Sequence, residues 1–100
     1  MLPLSRDDLR DALGQLKEWI GDTRELRRTM RLDDSEHADL TERIKVVSDA
    51  LQLRPDVKRR DGLTQICLRT PDGGALTAGE VRLAARIEDV YRSITAPSPS

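Results

Sequence analysis

The chain has 100 residues with 17 basic and 18 acidic side chains; Trp19 and Tyr91 are its only aromatics and Cys67 its only cysteine. That balance lacks both the basic surplus of a nucleic-acid-binding face and the aromatic platforms on which single strands stack, so no nucleic-acid partner is expected. A lone cysteine forms no internal disulfide, no apolar run approaches a membrane span, and Met1-Leu2-Pro3-Leu4 is too short for a signal-peptide core, so a soluble cytoplasmic protein with no membrane partner is expected.

Arg outnumbers Lys 14 to 3, which reads as a GC-rich bacterial coding bias rather than a phosphate-binding signal, because the net charge is near zero. The core must be built from aliphatic side chains and alanine, at a length that suits one domain.

In chain order, Ser5 is an N-cap with Asp8 three residues on, where a carboxylate meets free N–H groups and the positive end of the dipole. Leu9, Leu13, Leu16 and Trp19 or Ile20 then recur at helical spacing, so a first helix is expected to end near Trp19. Gly14 inside it reads as a place for close packing. Gly21-Asp22-Thr23 is turn chemistry. From Glu25 to Leu32 the pattern alternates, with Leu26, Met30 and Leu32 on one side; Arg28 falls on that apolar side, so the face is open or Arg28 lies near the strand's edge. A short partner strand around Trp19–Asp22 would complete a hairpin.

Asp33-Asp34-Ser35 opens a second helix whose stripe is Leu40, Ile44, Val47 and Leu51, thickened by Val46 and Ala50 and ended by Pro55. Asp56 to Arg60 is a short charged strand, and Asp61-Gly62 is the strongest two-residue hairpin signal in the chain. Leu63 to Thr70 puts Thr64, Ile66 and Leu68 on a core face and Leu63, Gln65, Cys67 and Arg69 on a mixed one. After the Pro71-Asp72-Gly73-Gly74 loop, Thr77 and Glu80 form a capping box for a third helix with the stripe Leu83, Ile87, Val90 or Tyr91, and Ile94.

The order α-β-β-α-β-β-α predicts an α+β fold, a four-stranded antiparallel sheet with helices on one face. One domain spans residues 1–94, and the Pro/Ser-rich residues 95–100 read as a disordered tail. His37, the only histidine, reads as a solvated surface residue, and Lys58-Arg59-Arg60 as a solvated edge strand. Cys67 reads as a small buried residue. One His and one Cys do not supply a tetrahedral metal set, so no metal and no cofactor is expected.

From Leu4 to Ile94 this layout resembles the pterin-4a-carbinolamine dehydratase family. The Leu-rich first helix with Trp19, the proline after the second helix, and the ending T-PDGGALT-AGEVRLAARIED carry the resemblance. It implies a fold of the class just described, a homodimer or homotetramer, and an active site at defined positions. There Asp49 takes the acidic position and Pro55 the proline, while the two histidines before that proline fall on Leu53 and Arg54. The third histidine falls on Gln65, the aspartate of the last helix on Glu80, and the aromatic before the last hairpin on Asp61. Every histidine is therefore replaced, the usual Phe residues are missing, and the loop near Asp33 is a residue or so short.

Dehydrating a 4a-carbinolamine needs a proton delivered to the departing hydroxyl and one taken from a ring nitrogen, work suited to a group titrating near neutrality. Leu53 does neither, an arginine at 54 stays protonated, and Gln65 hydrogen-bonds without ionising. Asp49 and Glu80 remain as the candidate catalytic residues, with Leu53, Arg54, Pro55, Asp61, Gln65 and Cys67 as candidate ligand contacts.

The resemblance then implies one of two reuses. One is a partner-binding or assembly factor, as for histidine-lacking relatives such as a Rubisco assembly factor of carboxysomes. The other is a small biosynthetic acid–base enzyme on a heteroaromatic or carboxylate substrate anchored by Arg54. The competing expectation is a pterin-recycling dehydratase, a hydro-lyase working with carboxylates in place of histidines.

Overall fold

The computed structural model of the chain describes residues 4–70 and 73–95. The elements are α1 (Arg6–Gln15), β1 (Ile20–Gly21), β2 (Leu26–Arg31), α2 (Asp34–Leu51), β3 (Asp56–Arg60), β4 (Leu63–Leu68) and α3 (Ala78–Thr95). The four strands form one antiparallel sheet in the order β1-β2-β4-β3, an α+β fold with the helices on one face. Thr95 closes α3; the expected tail at residues 96–100, and Pro71 and Asp72 of the expected loop, lie outside the described residues.

Alternation along the strands sorts the two faces of the sheet. Leu26, Arg28 and Met30 of β2 and Thr64, Ile66 and Leu68 of β4 are buried. There they meet Leu40 and Ile44 of α2 and Leu83, Ala84 and Ile87 of α3 in one core. Across the open face run two rows set by register: Ile20, Arg27, Cys67 and Asp56, then Thr29, Gln65 and Lys58. Asp61 (φ 54°) and Gly62 (φ 78°) both occupy the left-handed region, the backbone of a type I′ turn, which fixes Asp56 opposite Cys67.

The caps follow the sequence closely. Ser5 accepts from the Asp8 N–H at 3.1 Å. Asp33 and Glu36 form a reciprocal capping box, with N···O distances of 2.7 and 3.0 Å. Glu80 Oε1 accepts from the Thr77 N–H at 3.0 Å, and the Thr77 hydroxyl bonds Glu80 Oε2 at 2.9 Å.

Several sequence expectations are corrected. α1 stops at Gln15 rather than near Trp19. The Trp19 N–H turns back to the Leu16 carbonyl, and its indole Nε1–H reaches Glu88 Oε1 on α3 at 2.8 Å, so a tertiary contact takes Trp19 out of the helix. A Cβ at Gly14 would meet nothing within 4 Å, so close packing is not its role.

Pro55 is not what stops α2. The helix closes at Gln52 in the left-handed conformation (φ 57°), and the Leu53 N–H bonds the Ser48 carbonyl at 2.9 Å. Val46 is 67% exposed and Ala50 is exposed, so neither thickens the buried stripe.

Arg28 does not mark an open face. It is buried, with Nε donating to Glu88 Oε1 at 2.7 Å and its guanidinium 5.0 Å from the Tyr91 ring centroid. Arg59 is likewise not solvated like its neighbours. It donates to Asp34 Oδ1 at 2.9 Å and to the Leu32 carbonyl at 2.9 Å, tying the edge strand to the start of α2. His37 is half-buried rather than free on the surface, with Nδ1 2.8 Å from Thr64 Oγ1.

Candidate functional site

Where α2 hands over to β3, beside the end of β4, a groove of about 500 Å³ is lined by Gln52, Arg54, Asp56, Cys67, Arg69 and Thr70. Two local features place these residues together. The left-handed close of α2 at Gln52 ends the helix four residues before β3 begins at Asp56. The β3–β4 register sets Asp56 opposite Cys67, with Cα atoms about 5 Å apart as in any antiparallel pair.

The thiol of Cys67 is buried. Burial pushes its pKa above the ordinary thiol value, and the nearby carboxylates of Glu25 and Asp56 push it the same way. Cys67 is thus a neutral, weakly polar wall and a poor nucleophile.

Arg69 is held by Glu25, whose Oε1 accepts from Nε at 2.9 Å and from Nη2 at 2.7 Å. That bond and charge hold the guanidinium pKa above its ordinary value. Arg54 is exposed and, among the described residues, makes no hydrogen bond or ion pair, so its fork of donors is free. Asp56 lies 3.7 Å from Lys58 Nζ, and the Thr70 hydroxyl is bonded to the Gly74 carbonyl at 2.9 Å.

The residues singled out from sequence are only partly gathered here. Arg54 and Cys67 line the groove. Gln65 is half-buried on the same open face as Cys67, two residues along β4, flanked by Thr29 and Lys58. Leu53 is half-buried and packs against the core, and Pro55 is half-buried. Asp49 is exposed in the last turn of α2. Asp61 is exposed at the hairpin tip, at the far end of β4, about 13 Å along the strand by the usual rise. Glu80 is 2% exposed and spends both oxygens on Thr77.

Gln52, Asp56, Arg69 and Thr70 were not singled out. A signal for Asp56 was present, because a two-residue Asp61-Gly62 turn dictates the 56–67 pairing. Arg69 is two residues beyond Cys67 on the same alternating face, which also points to it. The groove contains no histidine. What it offers is two guanidiniums, one amide, one hydroxyl, one carboxylate and a protonated thiol: a set that binds a planar or anionic group well and cycles protons poorly.

Residues 2–90 match the family described as pterin 4 alpha carbinolamine dehydratase. Proteins from two strains of Chloroflexus aurantiacus, each named "Putative pterin-4-alpha-carbinolamine dehydratase", are 28% identical over 88 residues, covering 87% of this chain and 95% of theirs. A crystal structure from Brucella melitensis, described as a transcriptional coactivator/pterin dehydratase, superposes with a TM-score of 0.81 at 17% identity, covering 90% of this chain and 99% of that one. At that identity the superposition speaks for the fold, while the match over residues 2–90 speaks for descent. The chain belongs to the pterin 4 alpha carbinolamine dehydratase family.

Proposed function

We propose that this family member has left pterin dehydration and uses the groove between Arg54 and Arg69 to hold a carboxylate-bearing ligand, either a small molecule or the acidic segment of a partner. One observation carries the reading. The Arg54 guanidinium, without a partner among the described residues, and the Glu25-held Arg69 share a groove that lacks histidine, so anion recognition is available where a neutral proton carrier is not. An unpaired arginine fork matches a carboxylate bidentately. The positions at which the resemblance places histidines carry Leu53, Arg54 and Gln65.

We further infer a homo-oligomer, supported by Val46, a large apolar side chain left 67% exposed on α2, and a cytoplasmic location, which suits a sequence with a single cysteine. Among the described residues no helix is long and apolar enough to cross a membrane.

The test is the dehydration rate of a 4a-hydroxytetrahydropterin with the natural chain and with a Leu53→His, Arg54→His, Gln65→His variant. An inert natural chain beside an active variant is the expected result. Dehydration by the natural chain well above the spontaneous rate overturns the proposal and returns the chain to pterin recycling with Asp49, Asp56 or Glu80 as proton carrier.

A further inference from the structure

Between Leu53 and Arg60 the chain alternates without a slip: Leu53, Pro55, Val57 and Arg59 are half-buried, and Arg54, Asp56, Lys58 and Arg60 are exposed. Pro55 supports that pattern, because the residue before a proline is held in an extended conformation. Alternate residues of an extended segment project to the same side. Arg54 and Asp56 therefore line the groove as neighbours, with Cα atoms about 7 Å apart by the usual rise of a strand.

These two side chains carry opposite charges and do not spend them on each other. Among the described residues Arg54 makes no ion pair, and the Asp56 carboxylate meets only Lys58 Nζ, at 3.7 Å, with both side chains more than half exposed. A contact that long and that well solvated holds its partners weakly.

The β4 side of the groove adds a second cation. Arg69 gives Nε and Nη2 to Glu25, which leaves Nη1 without a bond among the described residues. Cys67, paired with Asp56 across the strands and two residues before Arg69, is neutral and competes for neither charge. The groove thus presents two cations and one anion. A ligand with carboxylates alone suits Arg54 and Arg69 but brings negative charge against Asp56. One with two carboxylates and an ammonium matches all three, and the repulsive contact at Asp56 turns its rivals away.

We propose that the groove binds a small acidic α-amino acid, with the α-carboxylate on the Arg54 fork, the ammonium on Asp56 and the side-chain carboxylate toward Arg69. The proposal rests on the reading of the groove as a carboxylate site and adds the contact that chooses among carboxylates. In an α-amino acid both charges branch from one carbon, so a long arginine and a short aspartate set side by side reach them together. An acidic segment within a partner chain lacks the ammonium and is the poorer occupant.

Isothermal titration of the full chain with L-aspartate, succinate and N-acetyl-L-aspartate tests this, since the three differ only at the amino position. Aspartate is expected to bind about fivefold tighter than either of the others, the upper scale for a partly exposed charge pair. Asp56→Asn is expected to remove that preference while succinate binds at least as tightly as before. In NMR spectra of the aspartate-bound chain, amide shifts are expected at Arg54, Asp56 and Arg69.

Succinate or N-acetylaspartate that binds as tightly as aspartate overturns the ammonium contact; the carboxylate reading then stands if Arg54→Ala still weakens both. An Asp56→Asn chain that keeps the full preference overturns it too, as do shifts confined to residues away from the groove. Binding of none of the three refutes the carboxylate reading itself, and this inference with it.

Discussion

Glu88 Oε1 accepts two hydrogen bonds at once, from Arg28 Nε at 2.7 Å and from Trp19 Nε1 at 2.8 Å, joining β2, the segment before β1 and α3 at one atom. The Arg28 and Glu88 side chains are only 8% and 10% exposed, so removing either leaves a charge uncompensated in a poorly solvated place. Glu88→Ala is expected to destabilise the fold by about 3 kcal/mol, the usual scale for breaking a buried pair. The paired change Arg28→Met, Glu88→Leu should recover part of that loss, because two apolar side chains carry no charge to desolvate, while the buried Trp19 Nε1–H is still left without its acceptor. Urea unfolding of the three chains checks this, and a single variant as stable as the natural chain would refute it.

Gly21 sits where the β1–β2 turn closes, and a Cβ there would run into the Glu25 carbonyl oxygen. That obstacle is backbone and does not swing aside. Gly21→Ala should therefore destabilise by about 2 kcal/mol, the range of overpacking and local backbone shifts. Thermal unfolding reads it, and an unchanged midpoint would show that the turn gives way freely.

The part played by Glu80 separates by substitution. If its carboxylate serves the helix start, as its bonds to Thr77 indicate, Glu80→Ala costs about 1 kcal/mol of stability. Glu80→Gln keeps most of it, since an amide oxygen still accepts from the Thr77 N–H. Ligand binding at the Arg54–Arg69 groove should be equal in the two variants once both are folded. A Glu80→Gln chain of full stability that binds nothing would instead give this carboxylate a place in the site.

Arg54 is exposed and has no partner among the described residues, so Arg54→Ala should leave the unfolding midpoint within experimental scatter. Affinity for a small dicarboxylate should fall about tenfold or more, the scale of a lost charge-assisted hydrogen bond. Isothermal titration beside Arg54→Lys distinguishes the fork from bare charge: lysine is expected to restore only part of the affinity.

The raised pKa of Cys67 predicts a pH dependence. A thiol whose folded pKa lies above its unfolded one supports the native state fully below the unfolded value, 9.0, and that support is lost as pH rises through the folded value. Cys67→Ser should flatten the alkaline decline in stability. Alkylation of the natural chain by iodoacetamide at neutral pH should be slower than that of free cysteine, because little thiolate forms and access is poor.

Much of the fold was readable because its signals are local. Ser5 and Asp33 at helix starts, the alternation from Leu26 to Arg31, and Asp61-Gly62 at the hairpin each act within a few residues of themselves. The misread parts depend on distant partners. Leu16 and Trp19 keep helical spacing, yet Glu88, 69 residues after Trp19, decides where Trp19 goes. Arg28 looked misplaced on an apolar face until Glu88 and Tyr91 were beside it. Gln65, which the resemblance makes a ligand contact, lies outside the groove lining, and Asp56, not singled out, lies within it, because register and the turn at Gln52 decide which side chains share the groove.

The Arg54–Arg69 groove is built almost wholly from residues that the core does not use. Of its six lining residues only Cys67 is buried, and none belongs to the cluster of Leu40, Ile44, Ile66, Leu83 and Ile87 that carries the packing. Mutational drift at residues 54 and 56 is therefore nearly silent in stability, since exposed positions away from caps and buried networks usually shift it by about 0.5 kcal/mol or less, whereas Gln52 closes α2 and Arg69 and Thr70 hold Glu25 and Gly74. Selection can rewrite what the groove recognises while the sheet and helices stay as they are. A lineage on this scaffold is thus free to change occupation many times without passing through an unfolded ancestor.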